Sequence, residues 1–281
     1  MIRKLPGFLC IGAQKAGTSW LWTQLKQHPD IWMPPIKELH FFDHNYCPEN
    51  RSWTTWHIQT HVLSCIKWHI SVYDKPDFAY LHYLAGLAKD KMFTEAWYKR
   101  AFMRPVARGK LLGDITPEYS TLPQEGVEYV KQYLGEIKII YIIRDPMDRA
   151  LSQMRMNLQS KGDLAQLNLQ ELMDMANIPA IENRGNYATY IPRWLSVFDA
   201  SSIKFVPFGL IKKEPDSLIL EITRFLGLED WGGYKALTQP VYSTQEVAIP
   251  DEALPHLREL CQPQYEFLNS QFGQEFVSLT K

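Results

Sequence analysis

Gly7-Phe8-Leu9-Cys10-Ile11-Gly12-Ala13-Gln14-Lys15-Ala16-Gly17-Thr18-Ser19 is the stretch from which the fold can be read. Its first half, up to Gly12, is an uninterrupted apolar run too short for a helix. That is the pattern of a strand buried on both faces, as in a parallel sheet. Small residues follow, and from Thr18 to His28 the apolar residues Trp20, Leu21 and Leu25 fall on one helical face. His28-Pro29-Asp30 stops that helix. Gly12 and Gly17 bracket a loop of G-x-x-x-x-G spacing between strand and helix. Such a loop curls its backbone N–H groups round an anion, and the helix N-terminus adds a favourable dipole.

Further strands are expected at Ile137–Ile143 and Ile203–Pro207, with a shorter one at Leu111–Asp114. Helical patterns occupy Gln124–Leu134, the segment opened by Arg144-Asp145-Pro146, and a stretch containing Tyr187, Tyr190, Trp194 and Phe198. Others run over Leu218–Leu226, closed by Gly227 as a C′ glycine, and from Pro250 to about Phe272. Alternation of strands and helices implies a parallel, doubly wound α/β sheet, because parallel strands need crossover connections. Residues from about 44 to 103 break the rhythm. They carry Trp53, Trp56, Trp68 and Trp97 with His57, His61, His69 and His82, and read as a helical Trp/His-rich insertion covering one end of the sheet. Most of these aromatics are expected to form a small satellite core. The whole of 1–281 is expected to be one domain.

Net charge is −1 over 281 residues, with 46% hydrophobic residues. A near-neutral chain is not the profile of a nucleic-acid binder, and it weakens the case for a strongly anionic polymer as partner. The four cysteines, Cys10, Cys47, Cys65 and Cys261, have no CxxC spacing, so neither a disulfide framework nor a metal site is expected. No stretch near the N-terminus is long and apolar enough for a signal or a membrane span, and the expected location is cytoplasmic.

The glycine loop departs from that of nucleoside triphosphatases, where the second glycine is followed by lysine and then by a magnesium-binding Ser/Thr. Here Thr18 follows Gly17, and the lysine is displaced to Lys15 within the loop. The run Ile11 to Trp20 resembles the 5′-phosphosulfate loop of sulfotransferases that use 3′-phosphoadenosine 5′-phosphosulfate (PAPS). A second block, Ile140-Tyr141-Ile142-Ile143-Arg144-Asp145-Pro146-Met147-Asp148-Arg149-Ala150-Leu151-Ser152, is similar to that family's 3′-phosphate motif. Lys37-Glu38-Leu39-His40-Phe41-Phe42-Asp43, Asp114-Ile115-Thr116-Pro117-Glu118-Tyr119 and Arg184-Gly185-Asn186-Tyr187 look like blocks of its heparan-sulfate-type branch and bacterial relatives. The resemblance implies a P-loop-like central parallel sheet, PAPS as co-substrate, adenosine 3′,5′-bisphosphate as product, and no metal. A sulfuryl group carries one charge fewer than a phosphoryl group, so a lysine and a ring of amides suffice where a triphosphate needs magnesium.

The site residues follow from the same matches. Lys15, Ala16, Gly17, Thr18, Ser19 and Trp20 line the 5′-side of the nucleotide, with Lys15 on the bridging oxygen of the leaving group. Trp20 lies either against the nucleotide or in the core. Arg144 and Ser152 hold the 3′-phosphate, for which a guanidinium fork is suited. Glu38 is the expected general base, its pKa raised by partial burial; His40 is the second candidate, on the same side of an extended segment. Asp43 reads as an orienting group. Ile115 stands where the heparan branch has a lysine, and no Lys-x-x-Gly-Arg-like loop occurs between Trp231 and Pro250. Both departures point to another acceptor and another lid. The expected acceptor is the hydroxyl or amine of a small polar metabolite, as in natural-product tailoring, ahead of a glycan or a tyrosine. A P-loop kinase-like phosphotransferase and a nucleotide-sensing scaffold are the rival classes.

Overall fold

The computed structural model describes residues 5–89, 91–161, 169–239, 241 and 251–281. Five strands form one fully parallel sheet in the order β2-β3-β1-β4-β5. β1 (Phe8–Gly12) is its centre, paired with β3 (Leu111–Ile115) on one side and β4 (Lys138–Ile143) on the other. β2 (Ile31–Trp32) and β5 (Ile203–Pro207) are the edges. All five residues of β1 are buried, as its unbroken apolar sequence requires. The two-residue β2 was not expected; it is too short to leave a periodic signal.

α1 (Thr18–Leu25) follows β1 directly and is shorter than the run to His28 suggested. α6 (Gln124–Leu134) crosses from β3 to β4, as expected. α7 (Pro146–Lys161) leaves β4, and α8 (Leu169–Ala176), α9 (Pro179–Asn183) and α10 (Tyr187–Leu195) lead to β5. Phe198 lies beyond α10 and packs on Trp194. After β5 come α11 (Leu210–Lys213) and α12 (Pro215–Phe225), closed by Gly227 at φ +80. α13 (Leu254–Ser278) passes the expected end at Phe272 because the chain kinks at Gly273 and then resumes helical geometry. Pro250, expected to open it, lies outside the described residues. Among those residues, no helix is long and apolar enough to cross a membrane.

The 44–103 region consists of the end of α2 (Phe41–Tyr46), then α3 (Arg51–Val72), α4 (Phe78–Leu87) and α5 (Glu95–Ala101). The satellite core expected here is not separate. Ile58, Val62, Tyr83, Leu84, Trp97 and Tyr98 belong to the same buried cluster as the sheet. Tyr98 stacks on Phe41 at 4.4 Å, and the Trp97 indole N–H donates to the Leu87 carbonyl at 2.8 Å. Trp56 and Trp68 are 67% and 56% exposed and belong to no core. Cys10 is buried in β1, and all four cysteines are free.

The chain's last residues pin the site end of the sheet. Thr280 accepts from the Asp145 N–H at 3.0 Å and Leu279 from the Gly209 N–H at 2.9 Å. These bonds fix the turns that follow β4 and β5.

Candidate active site

The glycine loop springs from the C-terminal end of the central strand, where ligands of open parallel sheets gather. The Ala13 N–H donates to the Ile142 carbonyl at 2.8 Å, tying the loop's first turn to β4. Lys15 adopts φ +67 and Gly17 φ +83. At Gly17 a side chain would also meet the Ile211 methyl at 2.5 Å, so the position is restricted twice over. Gly17 is the N-cap of α1, whose first turn carries no acidic residue. The first N–H groups of α1 have no acceptor within the helix, which is the arrangement that receives an anion. Thr18 and Ala16 are buried and Ser19 half-buried. Trp20 is 5% exposed, and its indole N–H donates to the Leu237 carbonyl at 2.8 Å. Of the two placements open from sequence, it occupies the core.

The second motif closes on the first. Arg144 follows β4 and donates through Nη1 to the Lys15 carbonyl at 2.7 Å. Its guanidinium lies over the Phe208 ring at 4.4 Å, and its buried Nε has no partner. The Tyr187 hydroxyl donates to the Arg144 carbonyl at 3.0 Å, which ties the Arg184–Tyr187 block to this motif. Asp145 caps α7 by accepting from the Asp148 N–H at 3.0 Å and accepts from Tyr265 OH at 2.7 Å. α7 in turn presents Ser152, 6% exposed, and one turn later Met156, whose sulfur lies 3.6 Å from Lys15 Nζ. Burial, then the Arg144 charge, lower the pKa of Lys15, while Glu38 works against them. The loop lysine, the strand-end arginine and the candidate base therefore share one electrostatic environment.

Glu38 and His40 are not on an extended segment. Both have positive φ, +67 and +51, so the expected reason for their common direction is corrected: two left-handed residues bring them together. His40 Nε2 lies 3.6 Å from Glu38 Oε2, and His40 Nδ1 lies 2.9 Å from Asp43 Oδ2. Asn50 also donates to that Asp43 oxygen, at 3.0 Å. Glu38 is bonded to Lys37 as well. Burial of Glu38 acts to raise its pKa, but Lys37 and His40 outweigh it and hold the carboxyl well below the usual range. The expected upward shift is thus reversed. For His40 burial is likewise outweighed, by Asp43 and Glu38, and its pKa is pushed up to about 10.

The Asp114–Tyr119 block supports this segment from behind. Asp114, on β3, accepts from Thr116 Oγ1 (2.8 Å), Tyr98 OH (2.8 Å) and Tyr119 OH (2.9 Å). Thr116 Oγ1 then accepts from the Leu39 N–H at 3.0 Å, and Tyr119 OH from the Phe41 N–H at 3.1 Å. The two hydroxyls transmit a buried carboxylate's hold to the backbone on either side of His40. Burial raises the pKa of Asp114 itself. Glu118 pairs with Arg184 at 3.0 Å, and Ile115, where the related branch has lysine, is buried.

Sequence reasoning missed His57 as a site residue. From α3 it packs edge-on against His40, ring centroids 4.7 Å apart, beside Trp53, which does the same from the preceding turn. His57 lies against His61 with the rings tilted by 31° and their centroids 4.2 Å apart, and has its pKa pushed down to about 4, chiefly by burial. The i, i+4 spacing of His57 and His61 on a helix was the available signal, since it puts both on one face. One donor atom each from Glu38, His40 and His57 fall within 4.8 Å of one another.

The glycine loop and the Arg144 motif thus meet at the C-terminal end of the parallel sheet, the usual place for a ligand of an open α/β fold. The chain matches the model of the sulfotransferase family over residues 6–232 and belongs to that family, whose general donor is PAPS. It is 26% identical over 251 residues to the mouse bifunctional heparan sulfate N-deacetylase/N-sulfotransferase 4, covering 83% of this chain and 24% of that one. With mouse heparan sulfate glucosamine 3-O-sulfotransferase 3B1 the identity is 24%, over 81% and 47% of the two chains. The chain thus spans less than half of either relative. A sulfotransferase structure from Alicyclobacillus acidocaldarius superposes with TM-score 0.66 at 23% identity, over 98% of this chain and 99% of that one. The sulfotransferase domain from the curacin biosynthetic pathway gives 0.54 at 18% identity, over 90% and 83%. Both share its fold.

Proposed function

We propose that the chain transfers the sulfuryl group of PAPS to a hydroxyl or amine of a small polar metabolite, with Glu38 as general base. The acceptor oxygen or nitrogen attacks sulfur in line as its proton passes to Glu38. The bond from sulfur to the bridging oxygen breaks, and adenosine 3′,5′-bisphosphate leaves with the charge that Lys15 neutralises. The observation that carries the reading is the Arg144–Lys15 bond. It joins the motif matched to the 3′-phosphate with the loop matched to the 5′-phosphosulfate, at the edge of the Glu38 environment.

Glu38 is preferred to His40 as base on electrostatic grounds. An imidazole with a pKa near 10 is already protonated at neutral pH and has no lone pair to offer. His40 then acts as the cation that holds Glu38 ionised and aimed. A depressed pKa makes Glu38 a weak base, which suits a step where the proton is lost late, as bonding to sulfur acidifies the acceptor. Arg144 with Ser152 holds the 3′-phosphate, and Ala16, Gly17, Thr18 and Ser19 supply the N–H and hydroxyl donors for the 5′-phosphate.

The small acceptor is favoured by near-neutral charge and by α3, which brings Trp53 and His57 against His40 and so narrows the approach to the base. The region 44–103 acts as acceptor lid of a single domain. A glycan acceptor is the second reading, favoured by the heparan sulfate enzymes among the relatives. The test of donor class is thermal stabilisation: a ligand of the native state raises apparent stability. Adenosine 3′,5′-bisphosphate is expected to raise the melting temperature more than Mg·ATP does, and the reverse order overturns the assignment. Turnover of PAPS against a metabolite panel and against heparan oligosaccharides then separates the acceptors.

A further inference from the structure

We propose that Glu38, His40 and His57 form a binding site for a divalent transition-metal ion of the zinc type. Each of the three offers one donor atom, and the three atoms lie within 4.8 Å of one another. The set of one carboxylate and two imidazoles is the donor chemistry of zinc, and of copper or nickel, rather than of magnesium or calcium, which prefer all-oxygen sites. Three protein ligands leave a fourth position open, as in sites where zinc keeps a water or exchanges a ligand.

Two independent features point to a ligand at this place. The first is an under-satisfied atom: His40 is 1% exposed, and its buried Nε2 makes no hydrogen bond, with Glu38 Oε2 standing off at 3.6 Å. Buried polar atoms are satisfied in the great majority of cases, so an unsatisfied ring nitrogen aimed at a carboxylate asks for an occupant. The second is the support behind the donors. Metal-binding imidazoles characteristically give their other ring N–H to a carboxylate or a backbone carbonyl. His40 has Asp43 Oδ2 at 2.9 Å from Nδ1, and Asn50 holds that oxygen in place. For His57 the Lys37 carbonyl, 3.3 Å from Nε2, can play that part.

The spacing is close to what a metal needs. Two donors held about 2.1 Å from a tetrahedral ion sit about 3.4 Å apart, and Glu38 Oε2 and His40 Nε2 are already at 3.6 Å. The third donor, on His57, lies within 4.8 Å of both. Glu38 keeps its other oxygen on Lys37, so the two contacts do not compete for one atom. A metal bound there displaces the proton from His40 Nε2, as metal binding to imidazole requires. None of the three residues stands in a metal-ligand spacing in sequence; α3 brings His57 to the pair from 17 positions beyond His40.

The consequence for activity rests on the proposed role of Glu38. A metal on Oε2 removes the lone pair that would accept the acceptor's proton, so the site makes the enzyme inhibitable by zinc. The binding test does not depend on that role. The full chain, freed of metal by chelator, is titrated with Co²⁺ and then with Zn²⁺. One equivalent of Co²⁺ is expected to give the visible d–d bands of a four- or five-coordinate nitrogen–oxygen site, and Zn²⁺ to abolish them. His57→Asn and Glu38→Gln are each expected to weaken Co²⁺ binding at least tenfold, while His256→Asn, at the start of α13, leaves it unchanged. Absence of the bands, equal affinity in both site variants, or loss in His256→Asn overturns the proposal. Retained turnover in metal-free Glu38→Gln would instead overturn the general-base reading and leave the metal site standing.

Discussion

The guanidinium of Arg144 reaches across from the end of β4 to the carbonyl of Lys15, 2.7 Å away, and so holds the glycine loop in a left-handed turn. One side chain thereby links two motifs that are 129 residues apart. Its second face is cation–π contact with Phe208, and its buried Nε is unsatisfied. Arg144 is therefore both a strut for the loop and a donor with hydrogen-bonding capacity left over for a phosphate.

Arg144→Ala is expected to weaken binding of adenosine 3′,5′-bisphosphate by roughly 10- to 100-fold, the equivalent of one charge-assisted hydrogen bond or a little more. Arg144→Lys keeps the charge but loses the fork, and should recover only part of that loss. Calorimetric titration of both variants measures it. Wild-type affinity in Arg144→Ala would remove the 3′-phosphate assignment.

Lys15→Ala is expected to lower turnover by about 10²- to 10³-fold, the scale of removing one group that stabilises developing negative charge. Nucleotide binding should suffer far less, because the loop amides and Arg144 remain. Single-turnover kinetics with saturating PAPS separate the two effects; a loss confined to binding contradicts the leaving-group role.

Glu38→Gln should reduce turnover by about 10²- to 10⁴-fold while leaving affinity for adenosine 3′,5′-bisphosphate unchanged. The amide keeps the shape of the carboxyl and removes its ability to take a proton. Full activity in this variant would move the base elsewhere.

Asp114 supplies a pH signature of stability. Burial raises its folded-state pKa above the ordinary carboxylate value, so this group's contribution is complete below the ordinary value and is lost as pH rises through the raised one. In Asp114→Asn the contribution is absent at every pH. The stability difference, wild type minus variant, should therefore grow as pH falls from neutral towards 4. Chemical denaturation at a series of pH values gives that difference, and a flat or opposite trend contradicts the assignment.

Gly17→Ala places a Cβ at φ +83 and 2.5 Å from the Ile211 methyl. The conformation alone costs about 1–2 kcal/mol, and the isoleucine must move. The melting temperature should fall by several degrees, and the stabilisation by adenosine 3′,5′-bisphosphate should shrink, as read in one thermal-shift experiment.

What the sequence determined by itself is local. A buried strand, a small-residue loop and a helix start are neighbours in the chain, so their periodicity and glycine spacing are legible without any fold. The same holds for Arg144 after a strand, for Glu38 with His40, and for the parallel sheet implied by alternating elements. The tertiary structure decided what those residues do to one another. The expected rise in the Glu38 pKa failed because Lys37 and a charged His40 lie closer to the carboxyl than burial alone could reveal. The Asp114 block could be matched as a pattern, but its use as a clamp on the Leu39 and Phe41 amides needs two hydroxyls delivered by the turn that follows β3. His57 enters the site only because α3 folds back over a pair of left-handed residues. Electrostatic strength and metal-ligand geometry depend on separations of a few ångströms, and those are set by packing between segments distant in the chain.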